Sequence, residues 1–512
     1  TALFLMAPPV LALAAVLFLP AAPAAAEHRY EVPELGPHYD QPETTKPGPQ
    51  RETWREWVDV GLLVVWLAAA AAMALVVRSR VGVLVLAVGA LVWFGFVRKG
   101  CVCPIGAIGN AAAGLLGDEM ILRPDEEALA EAGVGADRVQ AVLQREYTGL
   151  VGAEYHEGPA GGFHVRFHET DENEARLERL LATTVVRGEE GGGATLRSLT
   201  RLTPAAVVPI WVIAFLTLPL AATLLFGRAF CGAVCPLGAI QDVVVLKPVR
   251  VPEWLGHGLG VLPWAFLGLA VLLAATGGGY VICRYDPFVP IFRLSGAGLM
   301  FLLGGCFLLI GLFVGRPYCR YACPLGAIFG VLGRLSWKRV TITPDECIRC
   351  RLCEDVCPFG AIRPPSEHRP ADARLAGKGV LVATLVLAPV LIAVLAVAGY
   401  AVRGPLAQMN PTVRLAGVVR DAKTDAELRP DAGQSRADML RSFESSGRPA
   451  EELFEEEAII RGRVAAGSAI LGGFLGLVIA LKLIDLSTRR TRTDYEADRS
   501  RCFACGRCFK YC

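Results

Sequence analysis

The sequence carries almost no net charge: 51 basic against 49 acidic residues leave a formal +2. A polyanion-binding protein needs a basic stripe or patch, so nucleic acid is not expected among its partners. Charge of either sign is scarce, at 20% of residues, against 53% hydrophobic and a mean hydropathy of +0.45. A chain of 512 residues dissolved in water as several domains would carry about a quarter charged residues. Most of this chain is therefore expected in lipid. Several catalytic signatures are missing too. There is no Walker loop, no Rossmann fingerprint between a strand and a helix, no serine nucleophile elbow and no His-Glu-x-x-His. No Cys-x2-Cys-His occurs, which excludes covalent c-type haem.

What the sequence does have is apolar runs of about 20 residues, the length that crosses a bilayer. Eight are read, near 3–25, 57–77, 81–97, 204–226, 259–277, 296–314, 377–402 and 464–486. The first resembles a secretory signal peptide, with Ala24-Ala25-Ala26 before Glu27, but is read as a retained helix. The chain opens at Thr1 and closes on Cys512 inside a motif, and is read as a piece of a longer protein. Basic residues set orientation. Arg78 and Arg80, Lys247 and Arg250, Arg334 with Lys338 and Arg339, and Arg489, Arg490 and Arg492 alternate with the spans. They predict cytoplasmic N- and C-termini in a bacterial inner membrane, with 26–56, 110–203 and 403–463 outside. Arg98 and Lys99 break the pattern. Lys482 reads as a snorkelling side chain, and Glu451 to Glu457 as a solvated helix face.

Sixteen cysteines fall in clusters at the ends of apolar segments, which suits metal ligation better than disulfides. The strongest pattern is Cys347-x2-Cys350-x2-Cys353-x3-Cys357-Pro358, echoed by Cys502-x2-Cys505-x2-Cys508-x3-Cys512. Three thiolates at intervals of three wrap one cubane, and in two-cluster ferredoxins the fourth ligates the neighbouring cluster. That assigns Cys347, Cys350, Cys353 and Cys512 to one [4Fe-4S] cluster, and Cys502, Cys505, Cys508 and Cys357 to another. A zinc ribbon lacks the third interval and the trailing proline. Cys231-x3-Cys235-Pro236 and Cys319-x3-Cys323-Pro324 each supply two ligands where a helix leaves the membrane, together enough for a third [4Fe-4S] cluster. The bland alternative is two pairs of buried, unligated cysteines.

Spans ending in Cys-x3-Cys-Pro, followed by a ferredoxin segment, resemble the membrane polyferredoxins. That family includes the quinol dehydrogenase subunit of periplasmic nitrate reduction and the nitrous oxide reductase regulator. The resemblance covers roughly 200 to 362 and the C-terminal helix with its motif. It implies an electron-transfer subunit working between a cytoplasmic or quinone pool and extracytoplasmic redox partners, within a membrane redox complex. It also carries the twelve cysteines named above over as iron ligands. The front of the chain departs from the family, because Cys101-x-Cys103-Pro104 has one intervening residue instead of three.

Cys101, Cys103, Cys283 and Cys306 make a tentative fourth, outer-face cluster, with Asp286 as a substitute ligand; the alternative is Cys306 as core filler and Cys283 as structural. Gly193 to Ser198 faintly resembles a threonine flavinylation motif, which would put a covalent flavin on Thr195; a flexible Gly-rich linker before the fourth span is the favoured reading. His156, His164 and His168 read as solvated loop residues or as metal or haem ligands. A rival function, quinol oxidation by the chain itself, has His257, Glu253 and Asp242 as candidate quinone-site residues. A third is a redox-sensing or assembly factor for a metalloenzyme.

The expected architecture is an all-α polytopic membrane protein of about eight helices, with a small α+β ferredoxin-like cytoplasmic module split across the sequence. Its divisions are 1–109, 110–203, 204–340, 341–375, 376–486 and 487–512.

Overall fold

The computed structural model describes residues 53–100, 104–116, 119–124, 128–129, 132, 134, 136–146, 154–157, 163–168, 171–187, 193–204, 210–278, 285–295, 298–342, 347–366, 371–424, 434–445, 449–487 and 492–511. The run expected at 3–25 lies outside them, as do Cys101, Cys103, Cys283 and Cys512.

The described chain is mostly helical. Five helices are long and apolar enough to cross a membrane: Trp54–Leu75, Arg80–Val97, Glu253–Ala275, Gly379–Ala401 and Ala450–Ser487. Two of the eight expected spans are shorter among the described residues, as helices Ile210–Phe226 and Gly298–Gly311. Fourteen residues rise only about 21 Å, less than a bilayer core. The connection before that helix explains the shortfall: the Pro287 carbonyl lies directly against Gly304, in the middle of the helix. The apolar, proline-rich segment thus runs back beside the helix instead of staying at its end.

The basic groups read from the sequence meet at one end of the bundle. Arg78 donates to the Thr341 carbonyl (3.2 Å), Arg80 to the Cys505 carbonyl (2.7 Å), Arg250 to Asp355 (2.7 Å) and Arg334 to Asp485 (2.9 Å). Both ferredoxin-type segments are at this end. The exception, Arg98, is neutralised where it stands: it pairs with Glu56 (2.9 Å) and Asp59 (2.5 Å), both buried in the helix Thr53–Leu75. Trp93 adds a bond to Asp59 at 3.1 Å. A cation cancelled by two carboxylates no longer weighs in the positive-inside balance.

Between 119 and 204 four described strands form an antiparallel sheet in the order β2-β3-β1-β6, from β1 (Glu119–Pro124), β2 (Glu154–Glu157), β3 (Phe163–His168) and β6 (Thr200–Pro204). Leu122, Leu143, Leu177, Leu196 and Leu199 make a separate core. The three histidines are on strands and not in a loop, with His156 opposite His164 across β2 and β3. Gly193–Thr195 is strand β5, paired with β4 (Val185–Arg187), so from Gly193 onward this is a hairpin and not a linker.

The segment 403–463, expected as a polar loop, is helical in its described parts: Arg403–Ala407, Pro411–Thr424, Gln434–Ser445 and the foot of Ala450–Ser487. Val413, Ala416, Val419 and Leu453 are buried there. The solvated face expected at Glu451 to Glu457 does not extend to Glu457, which is 2% exposed and pairs with Arg420 and Arg461. Asn410 caps the helix Pro411–Thr424, accepting from the Thr412 N–H, and donates to the Thr276 carbonyl (2.8 Å each).

Helices Ala371–Ala401 and Ala450–Ser487 pack through small residues. A Cβ at Gly399 would strike the Ser468 carbonyl, and one at Gly472 the Leu395 carbonyl, so the backbones touch. In lipid, where apolar contact gives no net drive, such close approach holds helices together. The pair also returns the chain to the end it left. There β7 (Ile362–Arg363) pairs antiparallel with β8 (Glu496–Ala497), and the Asp498 N–H donates to the Ala361 carbonyl (2.6 Å).

Candidate metal centre

The two Cys-x3-Cys-Pro motifs fold alike. In each, a left-handed or positive-φ turn (Gly227, φ 68°; Arg316, φ 51°) leads into a one-turn helix carrying the first cysteine, Ala229–Ala233 or Pro317–Tyr321. The second cysteine is extended and caps a helix that starts on proline, Pro236–Val244 or Pro324–Arg334. Proline suits that first position because its missing N–H has no helical partner to lose. Cys231, Cys235, Cys319 and Cys323 are all buried in one core cluster and within each other's electrostatic range.

Helix Pro236–Val244 runs along Arg80–Val97 with Pro236 against Gly95 and Asp242 bonded to Arg80 at 2.8 Å. Cys235 therefore lies inward of the Arg80 end, deeper than a motif at a helix exit would. Phe292 fills the space between Gly95, Gly100 and Pro236.

In the second cysteine group one cavity is lined by Cys357 together with Cys502, Cys505 and Cys508. Burial raises the thiol pKa of Cys502 and Cys505, and pushes Cys508 up to about 12, with neighbouring cysteines adding to the Cys502 and Cys508 shifts. A metal that replaces the proton turns such thiols into ligands. Cys353 is buried with Ile342, Ile362 and Tyr495, Cys347 is half-buried, and Cys350 is exposed. Asp498 fixes the join between the two segments. Burial opposes its ionisation, but bonds from Ser500 and the charges of Arg501 and Arg363 outweigh this and hold its pKa below the usual carboxylate range.

Between the two groups stands Phe503. Arg228 lies over its ring at 4.1 Å and Arg316 at 5.3 Å, and Phe359 packs on it at 4.9 Å. The Phe503 carbonyl rests on Gly232, one residue from Cys231, where any side chain would collide with it. Arg316 is completely buried, donates to the Cys231 and Gly232 carbonyls, and stands 3.7 Å from Asp242.

No disulfide joins the described cysteines. Among the described residues no three His, Cys, Asp or Glu side chains converge as a single ion would require; a cubane spreads its cysteines over different irons. Four buried thiols in the first group, with backbone N–H donors from Gly238 and Gly326 aimed at Cys235 and Cys323, and one buried with three half-buried thiols in the second, fit such a cluster.

Other expected site residues fall elsewhere. Asp242, a quinone candidate, is instead an ionic hub, bonded to Arg80 (2.8 Å) and Arg507 (3.3 Å) besides Arg316. Glu253 pairs with Arg363 at 2.5 Å. His257 is 3.2 Å from Arg501, and its carbonyl accepts from Lys482 (3.3 Å), so Lys482 caps a helix end. Both Asp286 oxygens are engaged, by the Phe288 N–H (2.8 Å) and the Tyr318 hydroxyl (3.2 Å), which leaves little for metal ligation. Cys306 is half-buried in Gly298–Gly311, and its three proposed partners lie outside the described residues. Thr195 is exposed. Sequence reasoning missed Arg228, Arg316, Gln241 and Phe503. The first two were visible as a Gly-Arg pair preceding both repeats.

Comparison with known proteins agrees with this chemistry. A family described as 4Fe-4S binding domain matches residues 207–254 and 296–342, and a second of the same description matches 340–363. A stretch of 157 residues, 29% of the chain, is 30% identical to an uncharacterized protein of Methanocaldococcus jannaschii and covers 66% of it. NirI of Paracoccus denitrificans is 32% identical over 168 residues, 30% of this chain and 24% of NirI. The methylamine utilization ferredoxin-type protein MauN of the same organism is 31% identical over 147 residues, 26% of this chain and 48% of MauN. The chain thus spans less than two thirds of the length of each of these relatives. No solved structure matches.

Proposed function

We propose, for a chain that carries 4Fe-4S binding domains and is related to the ferredoxin-type iron–sulfur electron-transfer proteins, that it relays electrons through a membrane. The relay runs between a cytoplasmic or quinone pool and extracytoplasmic redox partners, as the wire of a membrane complex. One observation carries this reading: the Cys357, Cys502, Cys505 and Cys508 cavity abuts the Cys-x3-Cys-Pro site through Phe503. Two soft-ligand sites in direct packing contact suit electron hopping.

In this reading Cys231, Cys235, Cys319 and Cys323 hold one cluster. Cys502, Cys505, Cys508 and Cys357 hold a second, and Cys347, Cys350, Cys353 and Cys512 a third. Each [4Fe-4S] cluster supplies a one-electron carrier. The chain's own residues do the rest. Phe503 and Phe359 exclude water between the two sites. Arg228 and Arg316 place two cations where anionic groups would face each other. Backbone N–H groups of Gly238 and Gly326 donate to cysteine sulfurs, which tunes potential. Cys101, Cys103, Cys283 and Cys306 remain the proposed fourth set. With the Arg80 end cytoplasmic, both termini face the cytoplasm across an inner membrane.

One observation favours the second reading, a quinone site in this chain. His257 touches Arg501, which directly precedes Cys502, so a headgroup bound at His257 would stand beside the second cluster's ligands.

Anaerobic iron and sulfide analysis with redox-poised EPR tests the reading. About 12 irons per chain are expected from three cubanes, and about 16 with the outer set. Eight or fewer would remove the Cys-x3-Cys-Pro cluster from the scheme.

A further inference from the structure

The two repeats at 227–240 and 315–328 treat their second cysteines identically, each with a glycine N–H donating to sulfur. Just beyond, they diverge. The first repeat is followed by Gln241, and the equivalent place after the second holds Phe329. Gln241 is fully buried. Its Nε2 donates to the Cys319 Sγ (3.2 Å) and to the Leu237 carbonyl (2.8 Å), and its Oε1 accepts from the Tyr318 N–H (3.1 Å). A flipped amide would set donor against donor at Tyr318, so the network fixes its orientation. Phe329 has nothing to donate and packs on Phe230 at 5.5 Å.

The asymmetry continues outward. Tyr318 occupies the place that Phe230 holds in the first repeat, and its hydroxyl donates to Asp286 (3.2 Å). Phe288 and Phe307 pack edge-on against its ring at 5.1 and 5.4 Å. Tyr318 and Asp286 are buried as well. A polar chain therefore runs from the connection at 285–295 to one cysteine of four, on one side of a site that is otherwise two-fold in pattern.

We propose that Gln241 is a positioning residue that sets the reduction potential of the Cys231, Cys235, Cys319 and Cys323 site by hydrogen-bonding Cys319, with Tyr318 and Asp286 holding its amide in place. This rests on the site carrying a [4Fe-4S] cluster. Hydrogen bonds to cluster sulfurs tune potential, and an N–H donor favours the more negative, reduced state. Losing it lowers the midpoint.

The test is redox-poised EPR with iron analysis of the whole chain in detergent, comparing wild type, Cys319→Ala, Gln241→Leu, Gln241→Met and Tyr318→Phe. The signal that disappears in Cys319→Ala should move to lower potential in Gln241→Leu by roughly tenfold in its reduction equilibrium, about 59 mV for one electron. Tyr318→Phe should move it less and in the same direction. Iron content and the other signals should hold. An unmoved midpoint in Gln241→Leu at full iron content overturns the proposal. If Gln241→Leu loses the cluster outright, Gln241→Met decides, since it fills the same space without an N–H donor, and an unmoved midpoint there at full iron content is equally fatal. A wild type whose signals are all retained in Cys319→Ala would instead remove the cluster from this site, and the proposal with it.

Discussion

Arg228 and Arg316 hold equivalent places in the two repeats, and each reaches into the other's half. Arg316 donates to the Cys231 and Gly232 carbonyls of the first repeat, and Arg228 to the Gly326 carbonyl of the second at 3.4 Å. The exchange ties the cysteine pairs together before any metal does. Arg228 also donates to the Ser500 carbonyl at 2.8 Å, which fastens the Cys502 segment to the same knot.

Replacing Arg316 by Met should therefore be severe. It leaves two buried carbonyls without their donor and removes one cation from Asp242, which keeps Arg80 and Arg507. Breaking a buried charge pair costs about 3–5 kcal/mol, and the remaining partners put the expected loss near the lower figure. Arg316→Lys should not restore it, because a single ammonium cannot reproduce a planar fork that serves carbonyls and carboxylate together. Thermal unfolding of the two variants measures both claims.

Cys357→Ala should abolish the EPR signal that Cys502→Ala also abolishes, and leave the one that depends on Cys347. Iron should fall by about four per chain. The reverse outcome, loss confined to the Cys347-dependent signal, would mean that each run of cysteines serves its own cluster.

Gly472→Leu should separate Ala371–Ala401 from Ala450–Ser487, because its side chain has no room beside the Leu395 carbonyl. Overpacking of this kind costs about 1–3 kcal/mol or more. The expected signature is loss of iron from the module that the two helices support, with the Cys319-dependent signal kept. Gly379→Leu, where a new Cβ meets nothing within 4 Å, is the control and should retain all iron.

Sidedness is checked with protease on vesicles. Right-side-out vesicles should be cut within 403–463 and spare the segment from Cys347 to Cys357. Cutting of 403–463 only in inverted vesicles would reverse the assignment of cytoplasm to the Arg80 end.

The cysteine groups were legible because ligand spacing is local: intervals of three and four residues fix which thiols share a turn, whatever the rest of the chain does. Most apolar runs were legible for the same reason. What could not be read was long-range. Nothing near Arg98 announces that Glu56 and Asp59 cancel its charge, and nothing near Ile362 announces Ala497 as its strand partner. The Gly298–Gly311 helix was overestimated because hydropathy counts the apolar residues around it as span. Glu457 was misread because composition cannot show that Arg420 folds over it. Asp242 was misread in the same way, as an ionisable residue near a helix end whose three arginines come from distant positions.

The pairing of β7 with β8 has a consequence for the order of biogenesis. A ribosome that has finished Cys357 has made half of a nest, and the other half emerges only after both helices of the Gly472 pair have been threaded into the bilayer. Until then the first segment has no Cys502, Cys505 or Cys508 beside its Cys357. In the proposed scheme iron can complete this module only after Cys502, Cys505 and Cys508 have been made, and a chain stalled between the two helices would present unfinished thiols to whatever machinery surveys it.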